Sequence, residues 1–175
     1  GVTGTSLRDH GAFGKHGVLN NSPAWVVDRD AYALDFTSSY VAASGFASVY
    51  PTKCITVAMW YKVVTAPSNP YYTSAILSCQ TGSGSYPGFD VRGKSTTEYE
   101  ISISIGGSER KISLGLLELN GWLHGAFTYD GVNCRAYRNG ILLSTTAISG
   151  AIDATSASAL LVGDNPAFTG RYFRG

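Results

Sequence analysis

WLHGAFTYDGVNCRAYRNG occupies positions 122–140 and carries two alternating runs, one Asp-Gly and one Asn-Gly. In an extended chain Trp122, His124, Ala126 and Thr128 share one face. Leu123, Gly125, Phe127 and Tyr129 share the other, because strand side chains alternate. Asp130-Gly131 supplies residues that tolerate a turn. The run 134–138 resumes the extended pattern, with Arg135 and Tyr137 on one face. Asn139-Gly140 is the strongest short hairpin signal, since a type I′ turn needs φ > 0 at both central positions. Ile141, Leu142 and Leu143 then begin a third strand. The stretch predicts a three-strand antiparallel meander, which is a frame and not a catalytic constellation.

Short strand signals continue on both sides of it. Residues 32–36, 40–43, 74–79, 88–92, 110–114 and 159–162 read as brief strands, and 54–64 as a long one, apolar on both faces, as a central strand would be. Residues 98–105 alternate cleanly. Tyr99, Ile101, Ile103 and Ile105 are expected inward, with Glu98, Glu100, Ser102 and Ser104 on a wet outer face. No window has a capped helical period; 112–119 comes nearest, as a helical turn or irregular strand, but Gly115 interrupts it. Ten to twelve strands divided by turn signals predict an all-β, two-sheet sandwich with little or no helix. Its core is expected to include Phe36, Trp60, Ile101, Ile103, Trp122 and Phe127.

Composition narrows the function classes. The 175 residues fit one domain, and 44% are apolar, enough for a core. Charged residues are only 14% and the formal net charge is +1, so no electrostatic footprint for nucleic acid appears. No apolar run is long enough to insert in a membrane. Cys54, Cys79 and Cys134 make an odd count without CxxC spacing, and they read as buried free thiols acting as small hydrophobes, with one disulfide of open pairing plus one free thiol as the alternative. The first residues, GVTGTSLRDHG, lack the apolar stretch of a signal peptide.

Several pieces, in order, are similar to a known pattern. Asp9-His10-Gly11-Ala12-Phe13-Gly14-Lys15-His16-Gly17 looks like a D-x-S-G-N-G-x-H-G loop. Ala33-Leu34-Asp35-Phe36 with Ser39-Tyr40-Val41, then Ile55-Thr56-Val57-Ala58-Met59-Trp60, follow. The 122–140 stretch matches W-x-H-v-A-x-T-Y-D-G…Y-x-N-G, and Ala159 to Gly163 and Tyr172-Phe173-Arg174-Gly175 match the closing elements. On these residues the chain resembles the laminin-G-like jelly-roll domains of the concanavalin A-like superfamily over nearly its whole length. The resemblance implies one jelly-roll domain over 1–175, lacking the family's first and last strands. A longer native protein, or strands lent by a neighbouring chain, is then expected, along with aggregation of the lone chain.

Fold alone does not set function, because the superfamily holds lectins, adhesion modules and glycosidases. Its retaining glycosidases carry E-x-D-x-x-E on one strand, supplying carboxylates about 5 Å apart. That motif is absent, and His10, His16 and His124 lack a nucleophile partner. The expectation is a noncatalytic binding, adhesion or decoration module. The alternatives are a lectin-type module of a larger secreted enzyme and, least favoured, a glycoside hydrolase. Sugars are held by aromatic stacking and planar polar groups, which nominates Asn69, Tyr71, Tyr72, Gln80 and Tyr86 on loops. Relatives often hold one Ca²⁺ on loop oxygens, so the resemblance nominates Asp9, Asp28, Asp30, Asp164 and Asn165 as its donors. A glycan or a protein chain is the expected partner, the latter including another copy or a larger particle. The expected location is outside a cell or on a virus particle.

Overall fold

The computed structural model describes residues 4–28, 31–67, 74–82, 86–168 and 170–175. The loop residues Asn69, Tyr71, Tyr72 and Asp30 lie outside them. The described strands, in chain order, are β1 (Ser6–Leu7), β2 (Gly17–Asn20), β3 (Ala24–Asp28), β4 (Ala31–Asp35) and β5 (Tyr40–Ser44). A 3-10 turn (Phe46–Val49) precedes β6 (Ile55–Lys62), β7 (Ala75–Ser78), β8 (Phe89–Gly93), β9 (Glu98–Ile105) and β10 (Ser108–Leu116). Last come β11 (Trp122–Tyr129), β12 (Asn133–Arg138), β13 (Ile141–Ala147) and β14 (Ala159–Val162). No α-helix occurs among the described residues.

Eight strands form one sheet in the order β1-β2-β5-β14-β7-β8-β9-β10, and four form the facing sheet, β13-β12-β11-β6. β3 and β4 pair as a separate hairpin. Every strand pair is antiparallel. The expected meander is β11–β12–β13, closed by Asn139 and Gly140 at φ 51° and 79°, the two positive values a type I′ turn requires. Of residues 112–119, those up to Leu116 settle as strand: β10 ends there, with a bulge at Gly115, whose φ of 93° suits glycine.

The core lies between the two sheets. Val91, Tyr99, Ile101, Ile103, Ile112 and Leu114 come from the large sheet, and Tyr61, Leu123, Phe127, Tyr129 and Ala136 from the small one. Phe36, Phe127, Ile101 and Ile103 are buried as expected. Trp60 is not: it is 65% exposed, and Trp122 is only half-buried. The register explains it. Trp60 stands opposite His124 and Lys62 opposite Trp122, all on the outward phase, while Leu123 faces Tyr61 and Phe127 faces Val57 on the inward phase. Residues 55–62 also form an edge strand and not a central one, because β6 ends the small sheet. The inward Val57 and Met59 are consequently only half-buried. They line an apolar trough of about 470 Å³ shared with Trp25, Leu34 and Phe173.

The thiols also depart from expectation. Cys79 and Cys134 are buried, but Cys54 is exposed just ahead of β6, and all three are free. The wet face expected on β9 is dry: Glu100 is 2% exposed, and Ser102 and Ser104 are fully buried. Partners on other strands and loops cover them.

Candidate functional site

Two places bring together the residue types that recognise ligands. The first is the outer face of the large sheet. Cross-strand pairing sets Ser78, Asp90, Ser102 and Lys111 in one row and Arg92, Glu100 and Ser113 in the next. The Arg92 guanidinium sits at the centre. It donates to Glu100 Oε1 through Nε (3.1 Å) and Nη2 (3.0 Å), to Glu109 Oε1 (2.6 Å) and to Gln80 Oε1 (3.0 Å). Gln80 Nε2 donates to Ser102 Oγ (2.7 Å), and Ser102 donates to Glu109 (2.6 Å). Gln80 therefore supports the sheet from beneath the surface.

Loops fasten onto this network. Asn165 Nδ2 donates to Asp90 Oδ2 at 2.7 Å, and Asp153 Oδ2 accepts from Ser104 Oγ and from the Gly107 amide. Above it, Tyr86 packs against Phe168 with ring centroids 6.1 Å apart, and the Arg171 guanidinium lies 3.7 Å over the Phe168 ring. Asp90 is fully buried, and its Oδ1 has no hydrogen-bond partner. Burial pushes its carboxyl up to about 7, against the pull of Arg92, Arg171 and Asn165. Burial likewise raises Glu100, outweighing Arg92. Burial would raise Glu109 too, but the bonds from Ser102 and Arg92 outweigh it and hold that group low.

The second place is the outer face of the small sheet, which the sequence reading missed by placing both tryptophans in the core. Trp60, Trp122, Tyr32, Ala31, Ala33 and Asp28 line an open cleft of about 370 Å³ between the β3–β4 hairpin and strands β6 and β11. Tyr32 is 58% exposed. The Trp60 ring lies 5.2 Å from the His124 ring. At the hairpin end, the Asp28 carboxylate accepts from Lys62 Nζ and, at 3.0 Å, from Trp122 Nε1. The Lys62 ammonium also stands 5.3 Å from the Trp122 ring centroid. An aromatic residue on each of three strands is the signal that was available, once the phase of β6 is known.

The remaining nominated residues disperse. Asp9 accepts from the Gly11 amide (2.6 Å) and the Lys15 amide (2.7 Å), which hold its carboxyl low and shape its own loop. Asp28 is engaged in the cleft, and Asp164 accepts from the amide of Asn165 (2.8 Å) in the loop after β14. Among the described residues no three His, Cys, Asp or Glu side chains gather as a metal site. No helix is long and apolar enough to cross a membrane.

Comparison with known proteins agrees with the architecture. A family model described as the concanavalin A-like lectin/glucanases superfamily matches residues 35–175. No curated protein sequence matches the chain. Among solved structures, the binding domain of Paraclostridial Mosquitocidal Protein 1 is 15% identical with a TM-score of 0.74, covering 99% of this chain and 45% of that one. Domain 4 of AbnA, a GH43 extracellular arabinanase from Geobacillus stearothermophilus solved with arabinotriose, is 16% identical with a TM-score of 0.63, covering 94% and 80%. The binding domain of botulinum neurotoxin serotype G is 16% identical with a TM-score of 0.57, covering 90% and 45%. The chain thus spans under half the length of both toxin domains.

Proposed function

The chain belongs to the concanavalin A-like lectin/glucanase superfamily, and from that premise we propose that it is a noncatalytic binding module whose ligand is a glycan. The observation that carries the noncatalytic half is the Arg92 network. Hydrolysis of a glycosidic bond needs two carboxyl groups open to substrate, one as acid and one as nucleophile or base. On the outer face of the large sheet, Glu100 and Glu109 are both bound to one guanidinium, and Asp90 is sealed beneath Asn165. Glu109 is held ionised by Ser102 and Arg92, which makes it a poor proton donor, and Glu100 and Asp90 are buried where no substrate reaches them. The face is a buttress for loops.

The binding half is supported by the aromatic surface and by what structurally similar proteins engage. The arabinanase domain holds arabinotriose, and cell entry of botulinum neurotoxin type C depends on interaction with two ganglioside molecules. A place outside the cell, as part of a longer protein, suits a module of this kind. Tyr86, packed on Phe168 beneath the Arg171 guanidinium, is a further recognition surface in this reading, where another protein chain is the competing ligand.

The test is a paired assay on the whole chain. A glycan array and solution titration should find a saccharide that binds, while incubation with the same polymer releases no reducing ends. Hydrolysis lost on changing Glu100 or Glu109 to Gln, with the fold intact, overturns the noncatalytic reading. An empty array, together with capture of a defined protein ligand, overturns the glycan.

A further inference from the structure

We propose that the cleft between the β3–β4 hairpin and the outer faces of β6 and β11 is a saccharide site for a neutral sugar ring, with Trp60, Trp122 and Tyr32 as its walls. The inference rests on the reading of the chain as a glycan-binding module and gives that reading a place, separate from the Tyr86 loop end.

A tryptophan left 65% exposed on the middle of a regular strand forgoes the burial that such a side chain normally gains. It stands beside His124 and faces the same cleft as the half-buried Trp122 and the exposed Tyr32. The volume, about 370 Å³, falls in the roughly 300–1,000 Å³ range of small-molecule sites. It suits one or two sugar rings and is too small for a protein face. Aromatic planes match the apolar C–H faces of a pyranose, whose hydroxyls project from the edge.

The polar end of the cleft decides the charge of the ligand. Asp28 and Lys62 each keep about 28% of their side-chain surface exposed while paired to one another. A hydroxyl can donate to the carboxylate and accept from the ammonium, so a neutral polyol uses both. Because Asp28 and Lys62 neutralise one another, the pair offers no net counter-charge to an anionic or a cationic sugar. The Trp122 Nε1–Asp28 bond and the Lys62 position over the Trp122 ring hold these groups in place before any ligand arrives. The hairpin is itself anchored by this contact, so β3 and β4 form a fixed wall.

The experiment uses protein labelled with ¹⁵N at its three tryptophan indoles. Cellohexaose, xylohexaose, mannohexaose, galactotetraose and arabinohexaose are the neutral probes, and 3′-sialyllactose is the anionic one. A neutral oligomer should shift the Trp60 and Trp122 indole resonances and leave that of Trp25 in place. Trp60→Ala should weaken that binding at least about tenfold, with Tyr32→Ala in the same direction, and the melting temperature should hold because both side chains are exposed. Val132→Thr, at an exposed turn outside either surface, should leave it unchanged. Binding that survives Trp60→Ala but fails in Tyr86→Ala overturns this site and leaves the module reading standing. Preference for 3′-sialyllactose at the two indoles overturns the neutral ring. Failure of the wild-type chain to bind any saccharide, here and on the array, overturns the glycan reading and this site together.

Discussion

Cys79 and Cys134 are sealed in the core, and Cys54 is exposed, although the three look alike in sequence. Burial pushes the Cys79 thiol up to about 12 and that of Cys134 up to about 11, so neither forms an appreciable thiolate at neutral pH. In native protein at pH 7.5, iodoacetamide should modify one thiol quickly, at Cys54, and the other two only after unfolding. Mass spectrometry of the digest reads the outcome, and early labelling of Cys79 would contradict the packing. Trp60 shows why such distinctions were hidden. Residues 54–64 are apolar on both faces, so periodicity alone sets no phase. The cross-strand pairing of Trp60 with His124 decides which way the indole points, and that partner lies on another strand. Asn139-Gly140 was legible because its turn chemistry is contained in two residues.

At the scale of elements, the Arg92 network ties β8, β9 and β10 to the loop after β14. Its central liability is Asp90, which has one oxygen without a partner and lies against Arg92, Asn165 and Glu100, with Arg171 near enough to act on its charge. Its folded-state carboxyl, near 7, lies above the ordinary 3.8, so the folded protein binds this proton more tightly than the unfolded chain. The stability this supplies is full below about pH 4 and is lost as pH rises through 7. At 1.36 kcal/mol per tenfold change the difference is worth at most roughly 4 kcal/mol. Glu109 acts in the opposite direction, since its lowered value contributes stability that disappears as pH falls below the ordinary carboxylate range. The melting temperature should therefore peak in mild acid, decline between about pH 5 and 7.5, and level off above that. Asp90→Asn, which resembles the protonated form, should flatten that decline. An unchanged slope in the variant would show that Asp90 does not set it. None of this was legible in residues 98–105, where alternating Glu and Ser read as a solvated face. The Arg92 and Gln80 side chains that dry it come from other segments.

For the whole molecule, the alternation of Tyr99, Ile101 and Ile103, the meander and the turn residues were enough to predict a two-sheet sandwich, because each is a local rule repeated many times. Recognition surfaces followed no local rule: the tryptophan cleft exists only where a hairpin meets the back of a sheet. The small sheet also carries a liability. β6 pairs with β11 on one side only, and among the described residues no strand pairs along its other edge from Ile55 to Tyr61. The Arg174 carbonyl covers only the far end, accepting hydrogen bonds from the amides of Val64 (2.9 Å) and Thr65 (3.4 Å). A seven-residue open edge with half-buried Val57 and Met59 beside an apolar trough is a template for an added strand. Two copies joined edge to edge along β6 would satisfy the open backbone groups from Ile55 to Tyr61. The chain should therefore associate as its concentration rises. Amides on the open side of β6 should exchange hydrogen more slowly in the associated form, while those of β12 stay constant. Ala58→Lys, on the exposed face of the same strand, should shift sedimentation toward monomer without lowering the melting temperature, because like charges would meet across the new pair. A sedimentation coefficient constant across a hundredfold concentration range, with unchanged β6 exchange, would show that the edge is blunt as it stands.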